Sequence, residues 1–124
     1  MSIITSGIKK LIENNAMALA TISKNGQPHN IAVAYCKVFG DKVIISNSHV
    51  KETINNLENN KQVSLVVWHK DWETICIGFE LKGVAENIKK GKWFDFVCDL
   101  PDNEGYDIKS AIVVKILKIK KLLS

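Results

Sequence analysis

Apolar and polar residues alternate in short bursts along most of this chain, and turn dipeptides separate the bursts. Met17 to Ser23 (MALATIS) is a short apolar run followed by Asn25-Gly26, the strongest two-residue hairpin signal in the sequence. Its predicted partner strand runs from Pro28 to Phe39 (PHNIAVAYCKVF), and Gly40-Asp41 turns the chain into a third strand, Lys42 to Ser46. Gln62 to His69 alternates Val63, Leu65 and Val67 against Gln62, Ser64 and Val66, the pattern of a half-buried strand. A long strand is expected over Trp72 to Glu86, where Gly78 and Gly83 mark sites for a bend or bulge. Ile108 to Lys120 supplies the sixth.

Helical spacing is confined to three short segments. Ile8, Leu11 and Ile12 form one stripe behind a Thr5 or Ser6 cap. Val50, Ile54 and Leu57 form another within Val50 to Glu58, stopped by Asn59-Asn60. The third helix is expected over Ile88 to Val97, and Asp99 to Asp107 (DLPDNEGYD) reads as a surface loop. Six strands in hairpin order with short inserted helices predict an all-β or α+β domain over residues 1–124. Its sheet is expected to close or nearly close into a barrel, which removes exposed edges. A doubly wound fold is disfavoured, because the first three strands are joined by turns too short for crossover helices.

Composition narrows the classes. Apolar residues make up 46% and charged residues 24%, an ordinary globular balance. No run approaches the ~20 apolar residues of a membrane span, and the N-terminal stretch lacks signal-peptide architecture, so a cytoplasmic protein is expected. Cys36, Cys76 and Cys98 are scattered, which predicts reduced thiols. Together with the isolated His29, His49 and His69 they offer no metal-ligand spacing, and no metal is expected. The net charge of +4 rests on lysine alone, since the chain has no arginine. That balance welcomes a phosphate ligand and argues against nucleic-acid reading, which leans on arginine. Lys115, Lys118, Lys120 and Lys121 read as a solubilising strand edge, and Lys89, Lys90 and Lys92 as a solvated helix face.

The candidate chemistry lies between Ser46 and Trp68 (SNSHVKETINNLENNKQVSLVVW). A strand ends in small polar residues and a helix opens beside a lysine. The free N–H groups of that helix start, the hydroxyls of Ser46, Ser48 and Thr53, and the Lys51 ammonium are the ingredients of a phosphate site. Helix capping by Ser48 and Thr53 is the competing reading. His29 and His49 flank the segment and read as solvated loop histidines. Trp68, Trp72 and Trp93 read as anchors of a core or a subunit interface.

Three pieces at these intervals resemble the FMN-binding split-barrel family, the pyridoxamine 5'-phosphate oxidase-related flavoproteins, in its short single-domain form. They are the hairpin Leu19 to Tyr35 (LATISKNGQPHNIAVAY), the strand end Val43 to Ser48 (VIISNS), and Lys51 to Trp68 (KETINNLENNKQVSLVVW). The last is similar to a family pattern that places Lys directly before Thr; here Glu52 stands between Lys51 and Thr53. The resemblance implies a six-stranded antiparallel Greek-key split β-barrel, and a homodimer with FMN at its interface. It implies a phosphate held by Lys51 and Thr53 and bordered by Ser46, Asn47 and Ser48. It implies an isoalloxazine ring along Asn30, Ile31, Ala32 and Val33. The implied activity is flavin-dependent oxidoreduction or electron transfer, to a small molecule or a redox protein, with no protein acid or base required as a catalytic residue. A deazaflavin-dependent reductase on the same barrel, and a non-catalytic module that binds or senses FMN, stand as alternatives.

Overall fold

The computed structural model describes residues 2–123. Helix α1 (Ser6–Asn14) starts from Thr5, whose hydroxyl accepts the Ile8 N–H at 3.3 Å. Strands β1 (Met17–Ile22) and β2 (Pro28–Val33) form the predicted hairpin. Strands β3 (Lys37–Phe39) and β4 (Lys42–Asn47) form a second one. Helix α2 (Lys51–Asn59) leads into β5 (Gln62–Trp68) and the long β6 (Gly78–Ile88). Helix α3 (Lys92–Asp99) and a short 3-10 turn (Pro101–Asn103) precede β7 (Ser110–Leu123). Every strand pairing is antiparallel, and the order across the sheet is β2-β1-β5-β6-β7-β4-β3.

Seven strands therefore replace the expected six. The predicted strand over Pro28 to Phe39 is broken at Ala34–Cys36, where Tyr35 takes a left-handed backbone with φ of 57°. No glycine or asparagine announces that break. Trp72 to Ile77, expected in a strand, instead forms an exposed turn in which the Asp71 carbonyl accepts the Thr74 and Ile75 N–H groups. Pairing with β5 begins only at Gly78, opposite Trp68. The third helix starts four residues later than predicted, because β6 runs on to Ile88 and Gly91 turns the chain at φ 98°.

The sheet encloses one core. Met17, Leu19, Val43, Leu65, Val67, Leu81, Ile112 and Val114 are buried on its inner face. Ile12 of α1 and Leu57 of α2 join the same core from the two helices packed against it. Helix α3 packs on the outer face of β4 and β7, where Ile44, Val97 and Ala111 form a smaller cluster with Trp93 and Phe96. Cys36 is buried, and burial pushes its thiol up to about 12, so it stays protonated and unreactive at neutral pH.

Gly83 bears out its sequence reading. The register between β6 and β7 shifts between Lys82 and Gly83, and a Cβ at Gly83 would collide with the Lys115 carbonyl oxygen. We expect Gly83→Ala to destabilise the protein by about 1–3 kcal/mol, the usual effect of inserting a methyl group into packed surroundings. Urea denaturation would measure this, and an unchanged midpoint would refute it.

Asp41, in the β3–β4 turn, ties down the chain's start. Its carboxylate accepts the Ser2 hydroxyl at 2.6 Å and the Ile4 and Ile3 N–H groups at 3.0 and 2.9 Å. These bonds, the Ser2 hydroxyl foremost and then the Ile4 and Ile3 amides, hold its pKa below the ordinary carboxylate value. A depressed folded-state pKa means that the stabilisation is complete above the unfolded value and is lost as pH falls through the folded one. Thermal midpoints of the wild type and Asp41→Ala should therefore differ near neutrality and converge in acid; a constant difference would contradict this.

Candidate functional site

The end of β4 and the start of α2 are built around Asn47. This buried side chain accepts the Val50 N–H through Oδ1 at 3.0 Å and donates through Nδ2 to the Ser110 hydroxyl at 2.8 Å. It fixes the turn into the helix and ties that turn to β7. Beyond Val50 no side-chain oxygen caps α2, so its first-turn N–H groups remain available as donors.

A cavity of about 360 Å³ opens at this helix start. Asn47, Ser48 and Lys51 line it, and three of the residues singled out in the sequence are thus gathered. Two further lysines, Lys89 and Lys109, face the same space, as does Asn87 from the end of β6. Sequence reasoning missed all three, because they sit at strand ends far along the chain from α2. Lys89, read as part of a solvated helix, instead sits just beyond β6 on the cavity wall. Three lysines stand beside an uncapped helix start, and no aspartate or glutamate lines the cavity, so its lining is positively charged. Its His49 ring nitrogen Nδ1 lies 3.3 Å from the Ser48 hydroxyl.

The other sequence candidates do not line this cavity. Thr53 is completely buried in α2, and its hydroxyl oxygen has no hydrogen-bond partner. The buried Oδ1 of Asn87 is likewise unpartnered. Ser46 belongs to the opposite face of β4 from Asn47, where its hydroxyl accepts the Asn103 amide at 2.7 Å. Asn30 and Ala32 lie exposed on the outer face of β2, while Ile31 and Val33 turn inward opposite Leu19 and Met17. The alternation of a strand permits no other arrangement. β2 ends the sheet, so alternate backbone N–H and C=O groups on its free side are unpaired.

His29 joins β2 to α2. Its Nδ1 lies 3.0 Å from the Glu52 carboxylate, an exposed acid on the first turn of α2. On the inner side, Asn56 of α2 donates to the buried Thr21 hydroxyl of β1 at 2.9 Å. The helix start and the first strand hairpin are thus held as one unit. The solvated-loop reading of His29 gives way to this contact. Among the described residues, no group of three or more His, Cys, Asp and Glu is placed to hold a metal ion, and no helix is long and apolar enough to cross a membrane.

Comparison with known proteins places this architecture. The sequence model of the pyridoxamine 5'-phosphate oxidase family matches residues 4–120. The uncharacterized protein MJ0282 of Methanocaldococcus jannaschii is 29% identical over 127 residues, covering 98% of this chain and 82% of the relative. The crystal structure of HupZ from Group A Streptococcus superposes with a TM-score of 0.88 at 21% identity, covering 98% and 96% of the two chains. An FMN-binding protein from Syntrophomonas wolfei gives 0.79 at 19% identity, covering 92% and 82%. The same fold occurs in an F420 reductase (TM-score 0.72, 19% identity, 94% and 98% covered) and in the heme storage protein HutZ of Vibrio cholerae (0.71, 16%, 99% and 95%). The fold alone is thus compatible with several cofactors. With its antiparallel split sheet and the family match over nearly its whole length, the chain belongs to the pyridoxamine 5'-phosphate oxidase family.

Proposed function

We propose that this protein is an FMN-binding flavoprotein of that family, acting as an oxidoreductase or a small electron-transfer protein. The observation that carries the reading is the cavity at the start of α2, where Lys51, Lys89 and Lys109 surround uncapped helix donors. A phosphate monoester matches that donor set; lysine binds it as a point charge, and the helix N–H groups add direction. The unpartnered Asn87 Oδ1 on the cavity wall suits the hydroxyl of a ribityl chain, and the orphaned Thr53 hydroxyl is a second polar group without a protein partner. Heme carries neither group; F420 shares the polyol but presents its phosphate as a diester, and FMN fits this set through its terminal phosphate monoester and polyol.

The bound flavin would supply hydride or single-electron transfer. The chain's own residues hold and orient it. Lys51, Lys89 and Lys109 would neutralise the phosphate, and Asn47 would keep the helix start in place. The free edge of β2 would offer backbone donors and acceptors to a flat heterocycle. Across the outer face, Ala32, Ala18 and Val66 form one row and Asn30, Ala20 and Ser64 the next. Such small side chains leave a flat surface on which a ring and a second subunit would pack, supporting a homodimer with the cofactor at its interface.

Binding of FMN and riboflavin tests this reading. Lys51→Ala should weaken FMN by about tenfold or more, the scale of one charge-assisted hydrogen bond, and leave riboflavin nearly unchanged. Thr53→Val should keep or raise the thermal midpoint of the cofactor-free protein, because it removes an unpartnered buried hydroxyl. Equal losses of FMN and riboflavin in Lys51→Ala, or wild-type protein that binds F420 or heme but not FMN, would overturn the proposal.

A further inference from the structure

A second cavity, of about 620 Å³, lies at the opposite end of the barrel. That size accommodates a small organic ligand. Helix α1 forms one wall, and the segment from His69 to Phe79 forms the other. Phe79 here and Asn87 at the first cavity are eight residues apart on β6, roughly 26 Å along a strand. The two sites share no lining residue.

Its chemistry differs from that of the phosphate site. Ile8, Leu11, Ile77 and Phe79 supply apolar surface, and Ile8, Leu11 and Phe79 continue into the main core. Lys10, Lys70 and His69 stand among them, and no aspartate or glutamate lines the cavity. The backbone of this wall and the imidazole are held in place. The Lys70 N–H donates to Asn15 Oδ1 at 2.8 Å, fastening this wall to the end of α1. The Asp71 N–H donates to His69 Nδ1 at 3.0 Å, so a neutral ring carries its proton on Nε2 and keeps that N–H as a donor.

An apolar floor beside two ammonium groups and a fixed imidazole donor selects one ligand class. A neutral apolar molecule would leave the cations unused, and a cation would be repelled. We propose that this cavity binds an amphipathic organic anion, with an apolar body of one to three rings and a carboxylate or sulfonate head. The body covers Ile8, Leu11, Ile77 and Phe79, and the head meets Lys10, Lys70 and His69. The proposal does not depend on the assignment of FMN at α2.

Fluorescence titration of the intact chain with 8-anilinonaphthalene-1-sulfonate and its uncharged counterpart N-phenyl-1-naphthylamine tests it. Saturable binding of the sulfonate at one site per chain is expected. The double variant Lys10→Gln/Lys70→Gln should weaken the sulfonate by about tenfold, the combined scale of two exposed ion pairs, and the uncharged dye by far less. Gly7 also lines the cavity, and a Cβ there would meet only the Thr5 hydroxyl at 3.9 Å. Gly7→Phe should therefore fill the space and abolish binding of both dyes, with the thermal midpoint preserved. Lys51→Ala should leave both dyes unaffected. Undiminished dye binding in Gly7→Phe would place the dye elsewhere and overturn the proposal, as would equal losses of both dyes in the lysine variant. A wild-type protein that binds neither dye, with Gly7→Phe converting a dimer to monomer on size-exclusion chromatography, would show that a second copy fills the cavity and would equally overturn it.

Discussion

Three residues hold this molecule in shape. Ala34, Tyr35 and Cys36 connect β2 to β3, and those two strands lie at opposite edges of a seven-stranded sheet. Four Cα–Cα steps from Val33 to Lys37 reach at most about 15 Å. Six strand spacings in a flat sheet would separate the same edges by roughly 29 Å. The sheet must therefore curl until its edges nearly meet. Tyr35 accepts a left-handed backbone to make the passage, a conformation that costs a non-glycine residue roughly 1–2 kcal/mol. Burial of the inner face, from Met17 to Val114, repays that strain many times over.

Curling decides where function can lie. The inside is filled with side chains, so ligands are left with the rims and the outer surface. At one rim β4 and β6 end and β7 begins, and α2 enters beside them. Lys51, Lys89 and Lys109 come from three separate stretches of chain, and the side-by-side pairing of β6, β7 and β4 makes them neighbours. At the other rim α1 meets the β5–β6 connection, and the polar groups there stand over an apolar floor. The same architecture thus yields two lysine-lined cavities, and the one beside α1 adds an apolar floor.

This geometry explains what the sequence revealed and what it hid. The β1–β2 hairpin was legible because Asn25-Gly26 writes a local turn, and the register of its strands follows from alternation alone. The bulge at Gly83 was legible because only a residue without Cβ fits against Lys115. The break at Tyr35 was not, since its cause is the distance between sheet edges and not any local preference. The anion-ready start of α2 could be read from Ser48 and Lys51, which are neighbours in the chain. Lys89, Lys109 and Asn87 could not, because no spacing in the sequence encodes which strand ends converge. Asn30 to Val33 showed the limit of reading a strand as a wall, since alternate residues must serve opposite faces.

Glu52 shows how an apparent misfit is accommodated. An acid next to a phosphate site would oppose the ligand if it faced the cavity. It does not line that cavity; its carboxylate is engaged with His29 on β2. On the first turn of α2 the same negative charge favours the helix through its dipole, whether or not a ligand is bound. Consecutive helix residues project about 100° apart, so Lys51 and Glu52 can serve different neighbours from adjacent positions. The cation takes the side toward β6 and β7, the acid the side toward β2, and the buried Thr53 lies between them and the core. The order Lys-Glu-Thr is thus consistent with an anion site at this helix start, because the helix sorts the charges that the sequence places side by side.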